Sequence, residues 1–343
     1  MIRPIDVSLA LLPTPTDRSP VPLPGGASLL VKRDDLTGLG LGGNKARKLE
    51  PLCAEALAAG ADVLVTVGGG QSNHCRMTAA AGARLGLDVH LVLGGDPPPA
   101  LSGNQLLMDL FGATLHFAGT HDWGDLTATS EALLGELRAT GRTPALIPIG
   151  GSTPVGASAF AAAYAELLDQ LTAPVAAVVH TSSSGGTHAG LLAGQALARA
   201  SGRPAPPVLA IAVAKDVALS VEYLAALADQ TLAHLGSPVR VDPADVEVDG
   251  RWVGPGYEVP TSEGDEAIWW AARHGGWVLD RTYSGKGFAG LLGHARDGRW
   301  GEGDTVVFWH SGGTPALFTP AGAPGEKRRP DGQHHEGEGP SGG

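Results

Sequence analysis

The chain has 343 residues, a formal net charge of -11 at pH 7, 43% hydrophobic residues and 17% charged residues. This length exceeds what one hydrophobic core usually fills, so it predicts two lobes. The negative charge disfavours nucleic acid and anionic membranes as partners, and no apolar run could span a bilayer, so we expect a small-molecule partner. Two cysteines, Cys53 and Cys75, provide no disulfide framework and favour a reducing, cytoplasmic location.

The first third of the chain predicts an arm followed by alternating strands and helices. Residues 1–26, rich in proline and apolar side chains, are expected to pack as the arm. A strand at 29–32, a helix at 47–59 closed by Gly60, and a buried strand at 62–67 follow. Three glycines at 68–70 then make a tight turn before a helix that reaches residue 85 and has a serine or asparagine cap.

The same strand-then-glycine pattern recurs along the chain. It predicts strands at 89–93, 115–117, 145–149, 176–180, 208–213 and 305–309, and helices at 126–140, 157–171 and 217–235. Alternation of this kind predicts an α/β fold with open, twisted, mostly parallel sheets and helices on both faces. Ligands of such sheets bind at the carboxyl ends of the strands, where the glycine loops lie. Residues 321–343, polar and rich in glycine, predict a disordered tail.

Two lysines form the first candidate site. Lys45 follows the glycine turn of the segment Gly-Gly-Asn-Lys-Ala-Arg-Lys-Leu-Glu at 42–50, and Lys48 lies three residues further on. A Schiff-base enzyme needs an amine as the nucleophile that attacks a carbonyl group. Because Lys48 lies one helical turn after Lys45, both side chains face the same way. This segment alone is equally consistent with the start of a helix whose charged side chains are solvated.

A second candidate site is the Ser/Gly/Thr-rich loop at 182–187. Its hydroxyls, glycine amides and following helix N-terminus suit a phosphate monoester. Since the loop lacks a Walker lysine and a G-x-G-x-x-G spacing, a small cofactor phosphate suits it better than ATP or NAD. The alternative is a flexible connection.

Polar and aromatic side chains beside glycines supply further candidates. The segment Gln-Ser-Asn-His at 71–74 could hold a carboxylate, and Ser72 could move a proton, while a helix cap and a packed His74 are the alternatives. Tyr257 and Tyr283 lie in glycine loops from which a phenol could reach a ligand, although packing is the alternative. No metal-ligand spacing is found.

Five ordered motifs resemble those of one family. They are the segment at 42–50, Gln-Ser-Asn-His at 71–74, Gly-Pro-Gly-Tyr at 254–257, Tyr-Ser-Gly-Lys at 283–286 and His-Ser-Gly-Gly-Thr-Pro-Ala-Leu-Phe at 310–318. Together they resemble the 1-aminocyclopropane-1-carboxylate deaminase and D-cysteine desulfhydrase family over about residues 11–318. That family has the tryptophan-synthase-β fold (fold type II), which implies pyridoxal 5'-phosphate as the cofactor.

The resemblance also implies a role for each motif. Lys45 would bind the cofactor as a Schiff base and move the α-proton, while Ser311 would face the pyridine nitrogen. The residues implied to hold the phosphate are Lys48, Ser184, Gly185, Gly186 and Thr187. Asn73 would also face the cofactor's phenolate oxygen. The residues implied to take the substrate are Ser72, Asn73, His74, Tyr257 and Tyr283, of which Ser72, Tyr257 and Tyr283 would also be catalytic.

Two positions indicate the branch of the family. The deaminases of the family resemble one another in having Tyr-Glu-Gly-Lys and His-Leu-Gly-Gly at these motifs. The desulfhydrases have Tyr-Thr-Gly-Lys and His-Thr-Gly-Gly. At the second position of each motif this chain has a serine, Ser284 and Ser311. A carboxylate near the pyridine nitrogen favours its protonation, whereas a hydroxyl only hydrogen-bonds to it. The serines therefore favour β-elimination from D-cysteine to pyruvate, ammonia and hydrogen sulfide.

The expected organisation has a large cofactor-binding domain at 1–49 and 158–320, a small domain at 50–157, and the tail. The resemblance further suggests a homodimer. Three other functions stay open: 1-aminocyclopropane-1-carboxylate deaminase, L-cysteate sulfo-lyase, and a non-catalytic protein that binds an amino acid or pyridoxal phosphate.

Overall fold

A computed structural model describes residues 7–214 and 219–320, which form two β-sheets. The larger sheet has six strands in the order β1-β2-β10-β7-β8-β9, parallel throughout except for the β1–β2 pair. Its strands are β1 (Thr16–Arg18), β2 (Ser28–Arg33), β7 (Ala177–Ser182), β8 (Val208–Ala212), β9 (Glu247–Asp249) and β10 (Thr305–His310). The smaller sheet is parallel, in the order β5-β4-β3-β6. Its strands are β3 (Val63–Gly68), β4 (Asp88–Leu93), β5 (Thr114–Phe117) and β6 (Pro144–Leu146).

Helices connect these strands and cover the sheets. They are α1 (Lys45–Ala58), α2 (Asn73–Leu85), α3 (Gly103–Leu110), α4 (Trp123–Ala139), α5 (Pro154–Gln170), α6 (Gly186–Ala200), α7 (Val221–His234), α8 (Ser262–Gly275) and α9 (Ser284–Arg296). Short 3-10 segments occur at Asp34–Leu36, Leu39–Leu41, Ile149–Gly151, Pro243–Asp245 and Thr314–Phe318. None of the helices in the described ranges is both long and apolar enough to cross a membrane.

Alternate side chains of the larger sheet enter separate hydrophobic cores. On β7, Val179 packs into a core with α8 and α9, whereas its neighbour Val178 packs into a core with α5, α6 and α7. Val306 and Val307 of β10 divide in the same way. Because successive side chains of a strand point to opposite faces, both faces of this sheet are covered, as parallel sheets require.

The predicted α/β fold with mostly parallel sheets is confirmed, and several element boundaries differ. Helix α1 begins at Lys45 rather than at residue 47, because Asn44 already has helical dihedral angles (φ -59°, ψ -21°). The strand predicted at 145–149 ends at Leu146, since Pro148 and a left-handed Gly150 (φ 64°) turn the chain. The helix expected at 217–235 begins at Val221, and residues 217–218 lie outside the described ranges.

Other parts of the chain also bear on the predicted organisation. The strands of the larger sheet all fall within residues 1–49 and 158–320, and those of the smaller sheet within 50–157, although position 158 lies inside α5. The division into two domains itself stays a prediction.

Residues 7–26 run as an arm in which the amides of Leu9 and Ala10 donate to Glu50 Oε1 of α1 (2.8 and 2.9 Å). The predicted tail at 321–343 lies outside the described residues.

Candidate active site

One cavity of about 710 Å³ lies where strands of both sheets end. It is lined by Gly68 at the end of β3, Ser182 at the end of β7, and Ser311 just after β10. This is the edge where parallel sheets bind ligands. The predicted site residues that line the cavity are Lys45, Ser72, Asn73, His74, Ser184, Gly185, Thr187, Tyr257, Tyr283 and Ser311. No described residue of the lining carries a carboxylate.

Lys45 is the first residue of α1 and is fixed by the turn that precedes it. Gly42 and Gly43 have positive φ values (73° and 134°), and a Cβ on Gly42 would lie 1.8 Å from Asp35 O, so only glycine fits there. Asn44 then donates from its amide to Ser311 O (2.9 Å) and from its side chain to Thr187 Oγ1 (3.1 Å). Burial lowers the pKa of Lys45 to about 8, which increases its neutral, nucleophilic fraction.

Lys48 is fully buried one helical turn after Lys45. Its ammonium donates to the Gly150 carbonyl oxygen (3.2 Å) and has no carboxylate partner among the described residues. Burial, and secondly the charge of Lys45, lower its pKa well below the usual value. A buried ammonium without an anion is costly, so this position favours an anionic ligand.

The loop at 184–187 lies next to Lys48. Gly185 has a φ of 82°, and a Cβ on Gly186 would lie 2.9 Å from Lys48 Nζ, so the glycines let the backbone approach the ammonium. Ser152 joins the cluster because its hydroxyl donates to Ser184 Oγ (2.8 Å) and accepts from the Gly186 amide (3.1 Å). Ser152 was not among the predicted site residues, because no recognisable sequence motif marks it.

The start of α2 lines the opposite part of the cavity. Ser72 caps the helix, its hydroxyl accepting from the Cys75 amide (3.2 Å). The Asn73 Oδ1 atom accepts from Asn104 Nδ2 (3.0 Å), which leaves the Asn73 NH2 group as a donor. The helix cap is therefore present, and the ligand-binding role of this segment stays a prediction.

His74 is buried and neutral at this helix start. Its Nε2 lies 3.0 Å from Thr66 Oγ1, and that hydroxyl donates to Ile147 O (2.7 Å), so Nε2 is the protonated nitrogen. Its Nδ1 has no hydrogen-bond partner in the described structure. Burial, followed by the charges of Lys45 and Lys48, lowers the pKa of His74 well below 6.5.

Tyr257 and Tyr283 form a phenol pair at the cavity. Their hydroxyls hydrogen-bond to each other, with ring centroids 5.8 Å apart and planes inclined by 67°. Burial is the main cause that raises the pKa of each phenol well above 10, so both stay protonated at neutral pH. A protonated phenol beside a reacting centre can act as a general acid.

Ser284 and Ser311 differ in their access to the cavity. Ser311 lines it, whereas Ser284 is fully buried beneath it. The Ser284 hydroxyl donates to Asp280 Oδ1 (2.6 Å) and accepts from the Asp280 amide (2.9 Å). Asp280 Oδ2 also accepts from the Tyr283 amide (2.9 Å), so this carboxylate, which sequence analysis missed, anchors Tyr283.

The comparison with protein families decides the class of this site. The family described as "Pyridoxal-phosphate dependent enzyme" matches residues 7–312. The chain belongs to this family. The expected pyridoxal-phosphate chemistry is thereby confirmed at the level of the family.

Two relatives show a specific similarity to this pyridoxal-phosphate-dependent enzyme. A D-cysteine desulfhydrase of Salmonella typhi is 37% identical over 302 residues, which cover 85% of this chain and 89% of the relative. A bifunctional D-cysteine desulfhydrase/1-aminocyclopropane-1-carboxylate deaminase, mitochondrial, of Arabidopsis thaliana is 37% identical over 325 residues (91% of this chain, 79% of the relative).

Solved structures agree with this assignment. An ACC deaminase homologue superimposes with a TM-score of 0.82 and 36% identity, covering 91% of this chain and 93% of that one. An O-ureido-L-serine synthase superimposes with a TM-score of 0.61 and 17% identity over 92% of this chain and 93% of its own, which shows a shared fold alone.

The residues at the cavity fit the cofactor of the family. Lys45 offers an amine of lowered pKa for the aldehyde, and Lys48 with the glycine-rich loop offers charge and amides for the phosphate. Lys48 is buried beside this lining, which carries no carboxylate among the described residues, so the phosphate would supply the anion that Lys48 lacks. Those residues also contain no cluster of three potential metal ligands.

Proposed function

We propose that this enzyme catalyses β-elimination on D-cysteine. One D-cysteine and one water would give one pyruvate, one ammonia and one hydrogen sulfide. The observation that carries the proposal is the hydrogen-bonded phenol pair of Tyr257 and Tyr283 facing a cavity without a described carboxylate in its lining. A neutral acid of this kind suits a hydrosulfide leaving group, and the 37% identical desulfhydrase relative supports the substrate.

Lys45 would serve both as the attachment point and as the base. Bound pyridoxal phosphate supplies the electron sink that makes loss of the α-proton feasible. Whenever it is not bound to the cofactor, the Lys45 amine would lie free at the cavity wall. Because its pKa is lowered to about 8, a useful fraction is neutral near pH 7 and can accept the proton.

The start of α2 would orient the substrate carboxylate. The first N–H groups of a helix have no intrahelical acceptor, and the Ser72 hydroxyl already serves the Cys75 amide. The amides of Asn73 and His74 are therefore available to an anion, with the positive end of the helix dipole behind them. A carboxylate held there has its α-carbon within the cavity that Lys45 and the phenols line.

The phenol pair would protonate the leaving sulfur. Tyr283 is our candidate for the donor, and Tyr257 would stabilise it through their mutual hydrogen bond. Since burial keeps both phenols protonated, a proton is available whenever the carbon–sulfur bond breaks. Sulfur would then leave as hydrogen sulfide rather than as an unsolvated hydrosulfide ion.

The deaminase reaction is the second candidate, because the Arabidopsis relative carries both activities in its name. Two observations argue against it as the main activity. The Ser284 hydroxyl is engaged with Asp280 beneath the cavity, and Ser311 is the hydroxyl that remains to face a pyridine nitrogen. A hydroxyl activates that nitrogen less than a carboxylate does, and opening a cyclopropane ring demands more activation than expelling a thiol.

The predicted organisation is retained in the proposal. Each sheet would form the core of one domain, with the cavity where both meet, and the enzyme would be a homodimer, as the family resemblance suggests. A cytoplasmic location is supported by the two cysteines, which are both free and buried.

The experiment offers five amino acids to the purified, cofactor-loaded enzyme: D-cysteine, L-cysteine, β-chloro-D-alanine, L-cysteate and the cyclopropane amino acid. We expect pyruvate from D-cysteine and β-chloro-D-alanine alone. Pyruvate from L-cysteate would indicate a sulfo-lyase, and 2-oxobutyrate from the cyclopropane substrate would indicate the deaminase. No product from any of the five would contradict the proposal.

A further inference from the structure

Glu258 has a backbone conformation that glutamate seldom adopts. Its φ is 61°, and Leu41 is the other non-glycine residue with positive φ in the described ranges. Glycine takes this conformation without steric cost, whereas other side chains are strained there. Such strain at a functional site points to a role for the side chain that is present.

The Glu258 side chain reaches the loop that leads into α2. Its Oε1 accepts a hydrogen bond from the Gln71 amide (3.1 Å), a residue far away in sequence. A Cβ on Gly69 would lie 2.7 Å from Glu258 Oε1 and 2.9 Å from the ring of Tyr257. The carboxyl group therefore lies close to Tyr257, beside the cavity rather than in its lining.

No lysine or arginine pairs with Glu258 in the described part of the chain. Burial raises the pKa of Glu258, and the hydrogen bond from the Gln71 amide opposes that rise. Among titratable groups, His121 lowers the pKa of Glu258 by its charge. The charge of Glu258 in turn adds to burial in raising the pKa of Cys75, Tyr257 and Tyr283. In its ionised form the carboxylate adds negative potential beside the phenol pair. Charges less than a Debye length apart and partly shielded from water interact strongly.

We propose that Glu258 is a specificity-determining residue that repels substrates with an anionic β-substituent and admits neutral ones. This inference rests on the proposed function, because it assumes that the β-substituent points toward the phenol pair. It narrows the substrate class to amino acids whose β-group is a neutral thiol or a similar uncharged group. It predicts that a sulfonate or phosphate at the β-carbon is disfavoured although Lys45 lines the cavity.

The test uses D-aspartate and D-asparagine, which have nearly the same shape and differ by one charge on the β-substituent. Isothermal titration calorimetry on the cofactor-loaded enzyme gives their dissociation constants. We expect D-asparagine to bind more tightly than D-aspartate, and Glu258→Gln to improve D-aspartate binding about 10-fold relative to D-asparagine. Glu258→Asp, which keeps the charge, should retain the discrimination. Glu263→Gln, which alters an exposed glutamate on α8, should change neither constant.

Glu258→Gly is the second variant, since glycine suits the positive φ and removes the same charge. An unchanged ratio of the two dissociation constants in Glu258→Gln and Glu258→Gly would overturn the inference, as would loss of discrimination in Glu258→Asp. Because binding is measured without turnover, the result is independent of the proposed reaction. An enzyme that discriminates as expected but releases no pyruvate from D-cysteine would contradict the proposed function alone.

Discussion

At the scale of single residues, Lys45 and Lys48 have different environments although they share one helix. Lys45 lines the cavity, whereas Lys48 is fully buried beside Gly150 and Gly186. Both pKa values are lowered by burial, but only Lys45 has its amine at the surface of the cavity. The first is therefore suited to covalent attachment, and the second to holding an anion.

The pH dependence of cofactor attachment should follow the pKa of Lys45. The neutral amine is the nucleophile, so the attachment rate to apoprotein should rise as pH increases through about 8 and then level off. An ordinary lysine would still gain reactivity up to about pH 10. Stopped-flow absorbance at a fixed cofactor concentration measures this rate, and a profile that keeps rising beyond pH 10 would contradict the environment assigned to Lys45.

Removal of the Tyr283 hydroxyl should affect substrates according to their leaving group. Tyr283→Phe should lower kcat for D-cysteine about 100-fold, because the sulfur loses its proton donor. It should lower kcat for β-chloro-D-alanine much less, since chloride leaves without a proton.

Tyr164→Phe is the matched control for this variant. Tyr164 is a buried tyrosine that donates to the Pro206 carbonyl oxygen away from the cavity (2.8 Å), so its loss should leave both values of kcat within about twofold. Equal losses on both substrates in Tyr283→Phe would argue against the role of general acid.

At the scale of elements, helix α1 is held by a buried ionic network. Arg47 pairs with Asp34 (2.9 Å) and with Glu166 of α5 (2.9 Å), and Lys32 also pairs with Glu166. Arg47 and Lys32 are buried, so each depends on its carboxylate partners. The network fixes the helix that begins with Lys45, and we infer that it positions the amine.

Glu166→Gln should destabilise the enzyme by about 3 kcal/mol, because it leaves two buried cations short of one carboxylate. The neighbouring cations, by charge and hydrogen bonding, lower the pKa of Glu166 to about 2, against the opposing effect of burial. A carboxylate with a depressed pKa contributes stability above its unfolded pKa, and that contribution disappears as pH falls from about 5 to 2.

Urea unfolding at several pH values measures both effects. The unmodified enzyme should lose stability more steeply between pH 5 and 3 than Glu166→Gln does. Glu131→Gln, at an exposed position of α4, should stay within about 0.5 kcal/mol of the unmodified enzyme at every pH. Identical slopes for Glu166→Gln and the unmodified enzyme would show that the network contributes nothing.

At the scale of the whole molecule, the cavity joins elements of both sheets, so an anion bound there should stabilise the fold. Inorganic phosphate at about 100 times its dissociation constant should add about 2.7 kcal/mol to the stability of apoprotein, which corresponds to several degrees in Tm. Calorimetric melting with and without phosphate, at matched ionic strength, measures this shift.

Two lysine variants distinguish phosphate binding at Lys48 and the loop at 184–187 from a general salt effect. Lys48→Met should lose the phosphate-dependent shift. Lys286→Met, which removes a buried ammonium that donates to Val253 and Gly256 carbonyls, should keep it although the protein is less stable. A shift that persists in Lys48→Met would place the phosphate elsewhere.

Much of the fold and the main cavity residues could be predicted because their signals are local. Apolar strands followed by glycines identify the carboxyl edges of the sheets, and the segment containing Lys45 combines a glycine turn with the start of a helix. The predicted start of α1 was wrong by one half-turn because Asn44 and Lys45 carry no apolar periodicity that would mark the boundary.

Contacts between distant segments could not be predicted from such signals. Ser152 reaches Ser184, Glu258 reaches Gln71, and Arg76 donates to the carbonyls of Gly40 and Gly42 in the turn before Lys45. Each contact depends on how elements pack in three dimensions. The spacing of residues along the sequence does not predict these contacts.

The most direct test compares pyruvate and sulfide release from D-cysteine by the unmodified enzyme and by Lys45→Ala, both supplied with excess pyridoxal phosphate. We expect equal amounts of the two products from the unmodified enzyme and at least a 1,000-fold lower rate from Lys45→Ala, since attachment and proton transfer use the same amine. Comparable turnover by the two proteins, or none by the unmodified enzyme, would contradict this account.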